Sequence, residues 1–203
     1  MGYINVFTGP IKCGKSQKIF NELKRQLIAG KNIKVFLPDI DTDNNNVIST
    51  MSGNCINALK INNIAELKKY NADVYFIDMF HFLEGDVSTI DEMATQGKKF
   101  YIAGLNLTAD KKIFGKMGDL MCIADHVEIM TSICEVCKSD EASFSYCRKG
   151  TKSKEFIPVC RECYNKLINK EITLKPKRSR KSTATSPTMG KILVNDFNYQ
   201  YHF

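Results

Sequence analysis

A glycine-bounded loop near the start of the chain has the residue types of a phosphate-binding site. Residues 9–16 are GPIKCGKS and match the pattern G-x-x-x-x-G-K-[ST]. In such a loop, backbone N–H groups surround phosphate oxygens, the lysine supplies a cation, and the final hydroxyl can ligate Mg²⁺. The sequence therefore predicts a nucleoside triphosphate site formed by Gly9, Pro10, Ile11, Lys12, Cys13, Gly14, Lys15 and Ser16.

A candidate second ligand for the metal follows another apolar segment. Residues 72–77 form a β-prone run that ends directly before Asp78. A carboxylate at the end of a strand can hold the magnesium of a bound nucleotide, directly or through water. The alternative is that Asp78 only caps the next turn. With the phosphate loop present, we predict Ser16 and Asp78 as the magnesium ligands.

Four of the eight cysteines form two Cys-x-x-Cys pairs, Cys134 with Cys137 and Cys160 with Cys163. The two-residue spacer lets both thiolates of a pair face one tetrahedral ion, and two such pairs complete a closed zinc site of structural type. The alternatives are a redox dithiol or cysteines that are close in sequence by chance. The other four cysteines are expected to be free thiols in a reducing compartment, which favours a cytoplasmic protein.

The elements that must position these residues alternate along the first 130 residues. Strands are predicted at 3–8, 33–37, 72–77 and 100–103, and helices at 16–29, 64–70 and 87–96. This alternation favours an α/β fold, in which helices flank a mainly parallel sheet. We expect three segments: a nucleotide-binding domain at 1–130, a small four-cysteine zinc domain at 131–171, and a basic linker with an aromatic tail at 172–203.

Composition excludes several classes of protein. The chain has 203 residues, of which 43% are apolar and 25% charged, which is typical of a globular protein. No apolar run approaches the ~18–20 residues of a membrane-spanning helix, so no membrane partner is expected.

The net charge of +7 depends on the tail. Five basic residues lie within positions 175–181, and without them the rest of the chain carries +2. This run could contact nucleic acid or an acidic partner, act as a nuclear import signal, or be a solvated linker.

The segment at 192–203 could dock as a short strand, bind a partner, or be a frayed terminus. A nucleic-acid-dependent ATPase is disfavoured because the folded part lacks a basic excess.

The motifs together resemble the type II thymidine kinases over roughly residues 3–165. The resemblance is carried by the phosphate loop, the strand that ends at Asp78, GLN at 104–106, FG at 114–115, AD at 124–125, ICEVC at 133–137 and VCRECY at 159–164. It implies a small phosphate-loop α/β domain with a zinc domain, whose loop between the cysteine pairs, the lasso, covers the nucleoside. It also implies transfer of phosphate from ATP to the 5′-hydroxyl of thymidine, with Mg²⁺, usually in a homotetramer.

The resemblance fails at the position of the general base. The family has a glutamate after the strand-end aspartate, and this chain has Met79, whose thioether cannot accept a proton at neutral pH. Glu84 is a conceivable substitute. The family pattern further implies His81 as a nucleotide contact and Phe82, Leu120 and Phe156 as nucleoside contacts.

Other departures also fall on chemistry and recognition. Residues 41–43 are Asp-Thr-Asp where the family has Asp-Thr-Arg, and Ala109 stands where a Phe stacks on thymine. Asn106 replaces an acid, Lys111 keeps a basic residue, and the lasso at 149–155 is small and basic. Two hypotheses follow. The protein is a working but divergent deoxynucleoside kinase, or it is a kinase-fold protein with impaired chemistry that serves as a binding or assembly subunit through residues 172–203.

Overall fold

The computed structural model describes residues 1–40, 47–50, 53, 55–148, 155–174 and 191–192. The strands are β1 (Tyr3–Thr8), β2 (Ile33–Pro38), β3 (Val47–Ser49), β4 (Cys55–Asn57), β5 (Leu59–Ile61), β6 (Val74–Ile77), β7 (Lys99–Gly104), β8 (His126–Ile129), β9 (Phe144–Arg148), β10 (Glu155–Val159) and β11 (Lys191–Ile192). The helices are α1 (Lys15–Ile28), α2 (Ser88–Thr95), α3 (Met117–Ile123) and α4 (Arg161–Ile168), with 3₁₀ helices at Ile64–Lys69 and Phe80–Phe82.

Six strands form the main sheet in the order β5-β2-β6-β7-β1-β8, and every pairing within it is parallel. The α/β fold with a parallel sheet is therefore confirmed. Carboxyl ends of parallel strands meet at one edge of the sheet, which is where such folds bind ligands. The phosphate loop follows β1 and Asp78 follows β6, with only β7 between them. The topology thus brings the two predicted magnesium ligands to the same edge.

Both faces of the sheet are covered, as expected for parallel strands. Alternate residues of β6 enter opposite cores: Val74 and Phe76 pack with α1, while Tyr75 and Ile77 pack with α2 and α3. Helix α1 buries Ile19, Phe20 and Leu23, which lie along one stripe of the helix. The strand is therefore apolar at every position, and this apolar run is what allowed it to be predicted.

A separate core lies beneath the four cysteines. The antiparallel hairpin of β9 and β10 and helix α4 enclose it. Its fully or nearly fully buried members are Cys134, Ala142, Phe144, Tyr146, Ile157, Val159, Cys160, Cys163, Tyr164 and Leu167.

Several elements differ from the sequence prediction. The helix predicted at 64–70 is a 3₁₀ helix, Ile64–Lys69, which starts in a capping box between Asn63 and Glu66. The strand predicted to begin at residue 72 begins at Val74. The Tyr75 hydroxyl donates to the Tyr70 carbonyl oxygen and accepts from the Ala72 N–H, so these main-chain groups do not pair with a neighbouring strand.

The C-terminal segment is described at two residues only. Lys191 and Ile192 pair in parallel with Cys55 and Ile56 of β4. One of the alternatives, a short docked strand, is thus found at the first residue of the 192–203 segment. Residues 193–203 and the basic run at 175–181 lie outside the described residues, as do residues 41–43 and 149–154.

Among the helices that the structure describes, none is long and apolar enough to cross a membrane.

The stacked aromatic rings of the sheet give a test of the core. Phe100 is fully buried, and its ring centroid lies 5.0 Å from that of Tyr75. Because Phe100→Ala removes a buried ring and leaves a cavity, we expect the free energy of unfolding to fall by about 3–5 kcal/mol. Urea denaturation measures this. Ile28→Ala is the control, since Ile28 is 77% exposed, and its effect should stay within about 0.5 kcal/mol. Equal losses in the two variants would contradict the described packing.

Candidate functional site

The phosphate loop, residues 9–16, makes its turn through glycines with positive φ. Gly9 has φ 136° and Gly14 has φ 93°. A Cβ atom at Gly9 would lie 2.2 Å from the carbonyl oxygen of Met130, so a larger residue does not fit. Lys15 turns back across the loop, where its Nζ atom donates to the carbonyl oxygens of Gly9 and Pro10 at 3.3 and 2.5 Å. The loop therefore holds a lysine ammonium against its own backbone.

Ser16 and Asp78 meet at the carboxyl edge of the sheet. The Ser16 hydroxyl donates to Asp78 Oδ2 at 2.6 Å, and the Met79 N–H donates to Asp78 Oδ1 at 2.8 Å. Asp78 is only 6% exposed. Burial raises the pKa of its carboxyl group, while the two hydrogen bonds and the Lys15 ammonium act in the opposite direction. The carboxylate is thus placed where a cation would strongly favour its charged form.

The donor set of this pair fits magnesium. Mg²⁺ prefers oxygen ligands and usually takes one or two from protein while keeping water and phosphate oxygens for the rest. Ser16 supplies a hydroxyl and Asp78 a carboxylate, and their oxygen atoms already lie 2.6 Å apart. The alternative role, in which Asp78 caps the next turn, also has support, because Met79 N–H is bonded to it. The two roles use different oxygen atoms.

His81 is a buried, neutral side chain with a defined tautomer. Its Nδ1 atom accepts a hydrogen bond from the Leu105 N–H at 3.1 Å, so the proton of the neutral ring lies on Nε2. Burial, helped by the nearby Lys15 ammonium, lowers the pKa of His81 to about 4. Among the described residues, Nε2 has no hydrogen-bond partner. The ring therefore offers one N–H donor, and it lies near enough to Lys15 for the ammonium to affect its pKa.

Two residues that hold His81 were not assigned a role from the sequence. The Phe114 ring lies 4.5 Å from the imidazole, between centroids. Gly115 has φ 53°, and a Cβ atom there would lie 2.3 Å from the carbonyl oxygen of His81. The only signal in the sequence is the pair FG at 114–115, which gives no indication of the distant partner.

Met79 lies next to Asp78 but brings no ionisable group. It has a left-handed backbone, with φ 56°, and begins the 3₁₀ helix Phe80–Phe82. Its side chain is 37% exposed. The position predicted for the general base is therefore open to solvent and occupied by a thioether.

The three residues predicted to contact the nucleoside are in different settings. Phe82 is 43% exposed and packs edge-on against Phe114, at 5.3 Å between ring centroids. Phe156 is 37% exposed and lies on β10. Leu120 is fully buried in the core on the α2 and α3 side of the sheet. No contact brings these three described residues together, and their nucleoside role stays a prediction.

The segment from Asn106 to Phe114 is bonded to the cysteine-bearing core. The carbonyl oxygen of Ala109 accepts a hydrogen bond from the Tyr164 hydroxyl at 2.6 Å. The Lys111 ammonium lies 3.9 Å from the Tyr164 ring centroid and 4.6 Å from that of Phe144. Such cation–π contacts stabilise the position of a loop. The basic residue kept at position 111 thus fastens this segment to the cysteine-bearing core.

The four paired cysteines form one cluster. The sulfur atoms of Cys134, Cys137, Cys160 and Cys163 all lie within 4.8 Å of one another. The Sγ atoms of Cys137 and Cys160 are 3.7 Å apart, close to the ~3.8 Å edge of a tetrahedron with Zn–S bonds of about 2.3 Å. This donor set is compatible with zinc. Since all four positions are protein thiols, an ion bound there would have no open coordination site.

Two thiols of the cluster have pKa values that are shifted in opposite directions. Hydrogen bonds with Ser139 lower the pKa of the exposed Cys137 thiol to about 6. Burial raises the pKa of Cys163, as do its hydrogen bonds with the neighbouring cysteines. Packing several thiolates together is unfavourable without a positive ion, so this arrangement is that of a metal site more than of a free dithiol.

Comparisons with known proteins agree with this geometry. A family model described as thymidine kinase matches residues 2–170. Proteins named thymidine kinase from two strains of Porphyromonas gingivalis are each 33% identical to this chain over 177 residues, covering 81% of this chain and 86% of the relative.

The cysteine cluster predicts bound zinc. Elemental analysis of the purified protein should find one zinc per chain, and Cys163→Ser should lose the metal and unfold at lower temperature, because binding energy at such a site is folding energy. Cys122→Ser is the matched control, since Cys122 is an exposed cysteine outside the cluster. A protein that contains no zinc, or that keeps it in Cys163→Ser, would contradict the site.

The buried imidazole predicts a pH dependence of stability. An unfolded histidine titrates near ~6.5, whereas folded His81 titrates at about 4. Between these values the unfolded chain binds more protons, so the contribution of His81 to stability is complete above ~6.5 and is lost as the pH falls towards ~4. Urea denaturation of wild type and His81→Gln across this range should give a difference that shrinks with falling pH. A difference that is constant with pH would contradict the neutral, buried state.

Proposed function

This chain belongs to the thymidine kinase family, and we propose that it transfers the γ-phosphate of ATP to the 5′-hydroxyl of thymidine or a related deoxynucleoside. The observation that carries the proposal is the pairing of Ser16 with buried Asp78 beside the Lys15 ammonium. Phosphoryl transfer depends mainly on positioning and on stabilising phosphate charge, and this constellation supplies both. The product would serve DNA synthesis, and the free thiols favour a cytoplasmic location.

The proposed nucleotide contacts follow from the chain's own donors. Backbone N–H groups of residues 12–16 and the Lys15 ammonium would bind the phosphates, and the positive end of α1 begins at the loop. Pro10 has no N–H group, and the Ile11 N–H already donates to the Ser145 hydroxyl. The Nε2–H of His81 is one further donor, and it stays uncharged at neutral pH. Ser16 and Asp78 would hold Mg²⁺, which would supply positive charge to stabilise the phosphates.

The zinc cluster has a supporting role in this proposal. Its four cysteines would hold one zinc ion and so fix the hairpin of β9 and β10, which carries Phe156 and leads into residues 149–154. Phe82, Leu120 and Phe156 are proposed to contact the nucleoside, and a homotetramer is the proposed assembly. These proposals rest on the family pattern.

Proton transfer from the 5′-hydroxyl is the step for which this chain is poorly equipped. Met79 occupies the position of the base, and its side chain accepts no proton. Glu84 is not a good substitute, because its main chain is bonded to Asn62 and Ile64, on the segment that follows β5. Loss of a positioned base typically slows a reaction about 10²–10⁴-fold. We therefore propose slow turnover in the wild-type protein.

A second candidate function has a specific observation in its favour. The phosphate loop, Asp78 and the cysteine cluster are kept, while the ionisable group at position 79 is not. A protein that binds nucleotide and zinc as structural parts, and that acts as a binding or assembly subunit through residues 172–203, would have this combination.

Restoring the carboxylate separates the two candidates. Met79 is 37% exposed, so Met79→Glu adds a carboxylate without disturbing the core. We expect phosphorylation of radiolabelled thymidine to rise about 10²-fold or more in this variant. Met79→Gln is the control, since it has the same shape without a base, and it should remain at the wild-type rate. Fast wild-type turnover that Met79→Glu does not increase would contradict impaired proton transfer, and no turnover in any variant would favour the binding subunit.

A further inference from the structure

The two lysines of the phosphate loop have different partners. Lys15 turns inward and bonds the carbonyl oxygens of the loop itself. The Lys12 Nζ atom lies 2.6 Å from Oε1 of Glu135, which is 123 residues further along the chain. Lys15 therefore stays within the loop, and Lys12 connects the loop to a second part of the molecule.

The backbone of Lys12 is in an unfavourable conformation that this connection supports. Its φ angle is 60°, in the left-handed region that residues other than glycine seldom adopt. The Lys12 carbonyl oxygen accepts a hydrogen bond from the Ser132 hydroxyl at 3.1 Å. Such a conformation persists only where the surroundings fix it. Here the Ser132 hydroxyl bonds the main chain of Lys12 and the Glu135 carboxylate pairs with its side chain. Both groups belong to the zinc domain.

Glu135 is itself fixed by the cysteine cluster. It lies between Cys134 and Cys137, in the turn whose sulfurs face the candidate zinc ion. Its backbone N–H donates to the carbonyl oxygen of Pro158 on β10 at 3.0 Å. The carboxylate that holds Lys12 is thus attached to a turn that the cysteine cluster and β10 fix.

A second cation shares the carboxylate. An Nη atom of Arg148 lies 3.8 Å from Oε2 of Glu135, and Arg148 Nε lies 3.6 Å from Oε2 of Glu155. The Arg148 side chain is only 12% exposed, so its attraction for Glu135 is less screened by water than that of a surface pair. Four alternating charges, Lys12, Glu135, Arg148 and Glu155, therefore run from the phosphate loop to the paired ends of β9 and β10.

We infer that Glu135 is a positioning residue for the nucleotide. Through Lys12 it holds the phosphate loop in the conformation that binds a polyphosphate. Because the cysteine cluster fixes Glu135, an ordered cluster increases the affinity for nucleotide. The inference rests on the proposed nucleotide binding. A single exposed ion pair contributes little, but a network that includes a largely buried arginine side chain contributes more. We expect loss of the Glu135 charge to weaken Mg·ATP binding by roughly 3- to 10-fold.

The test measures the dissociation constant of Mg·ATP by calorimetry on the full-length, zinc-loaded protein. Glu135→Gln keeps the shape of the side chain and removes its charge. Glu141→Gln is the matched control, because Glu141 is an exposed carboxylate in the same connection between the cysteine pairs. Lys12→Met removes the other partner without changing the zinc domain, and the double variant completes a cycle. Zinc content and thermal midpoint are recorded for each variant.

The proposal predicts a specific pattern. Glu135→Gln and Lys12→Met each raise the dissociation constant, Glu141→Gln does not, and the double variant is no weaker than Lys12→Met alone. If Glu135→Gln loses zinc or unfolds, Lys12→Met still tests the contact, and wild-type affinity in that variant would overturn the proposal. Weaker binding in Lys12→Met with unchanged or tighter binding in Glu135→Gln would also overturn it, since Lys12 would then contact phosphate directly.

Failure of the proposed function gives a different result. Wild-type protein with no affinity for Mg·ATP would sink the nucleotide proposal itself. Wild-type protein that binds Mg·ATP, with Glu135→Gln equal to it, would overturn only the positioning role of Glu135.

Discussion

The hydrogen bond between Ser16 and Asp78 joins two strand ends that are not neighbours in the sheet. Strand β7 lies between β1 and β6, so the phosphate loop and the acidic strand end meet only because the parallel sheet places both at one edge. Burial at this edge removes water from the Asp78 carboxylate, which is unfavourable for any charged group. Other residues of the site are linked to this pair: the Lys15 ammonium acts to lower the pKa of both Asp78 and His81, and Met79 follows Asp78 and donates its N–H to it.

At Met79 the main chain and the side chain have different roles. Its N–H still bonds Asp78, and its left-handed backbone still begins the short helix that carries His81 and Phe82. These functions need only the main chain, so the side chain is free to vary without loss of the fold. A proton acceptor, in contrast, must be supplied by the side chain. The local structure is thus independent of the one group on which fast turnover would depend.

The sequence was sufficient for the features that depend on local pattern. The phosphate loop, the buried strand before Asp78 and the two cysteine pairs each have a spacing that indicates a structure, and the predicted parallel sheet is confirmed. Features set by distant contacts were missed. Short strands such as β3 to β5 have too few residues for a periodic signal, and the 3₁₀ helix at Ile64–Lys69 is distinguished from an α-helix by packing. The contacts of Phe114 with His81 and of Glu135 with Lys12 join residues too far apart in sequence for any pattern to indicate them.

Cys137 is exposed, whereas the other three cysteines of the cluster are buried. Zinc held by this cluster would be reached from solvent through the Cys137 sulfur, and hydrogen bonds with Ser139 lower the pKa of that thiol to about 6. Exchange of the ion with a chelator or a donor protein, and attack by an oxidant, would then both begin at the same atom. Since Glu135 lies in the same turn and pairs with Lys12, loss of an ion from the cluster would reach the phosphate loop through that contact.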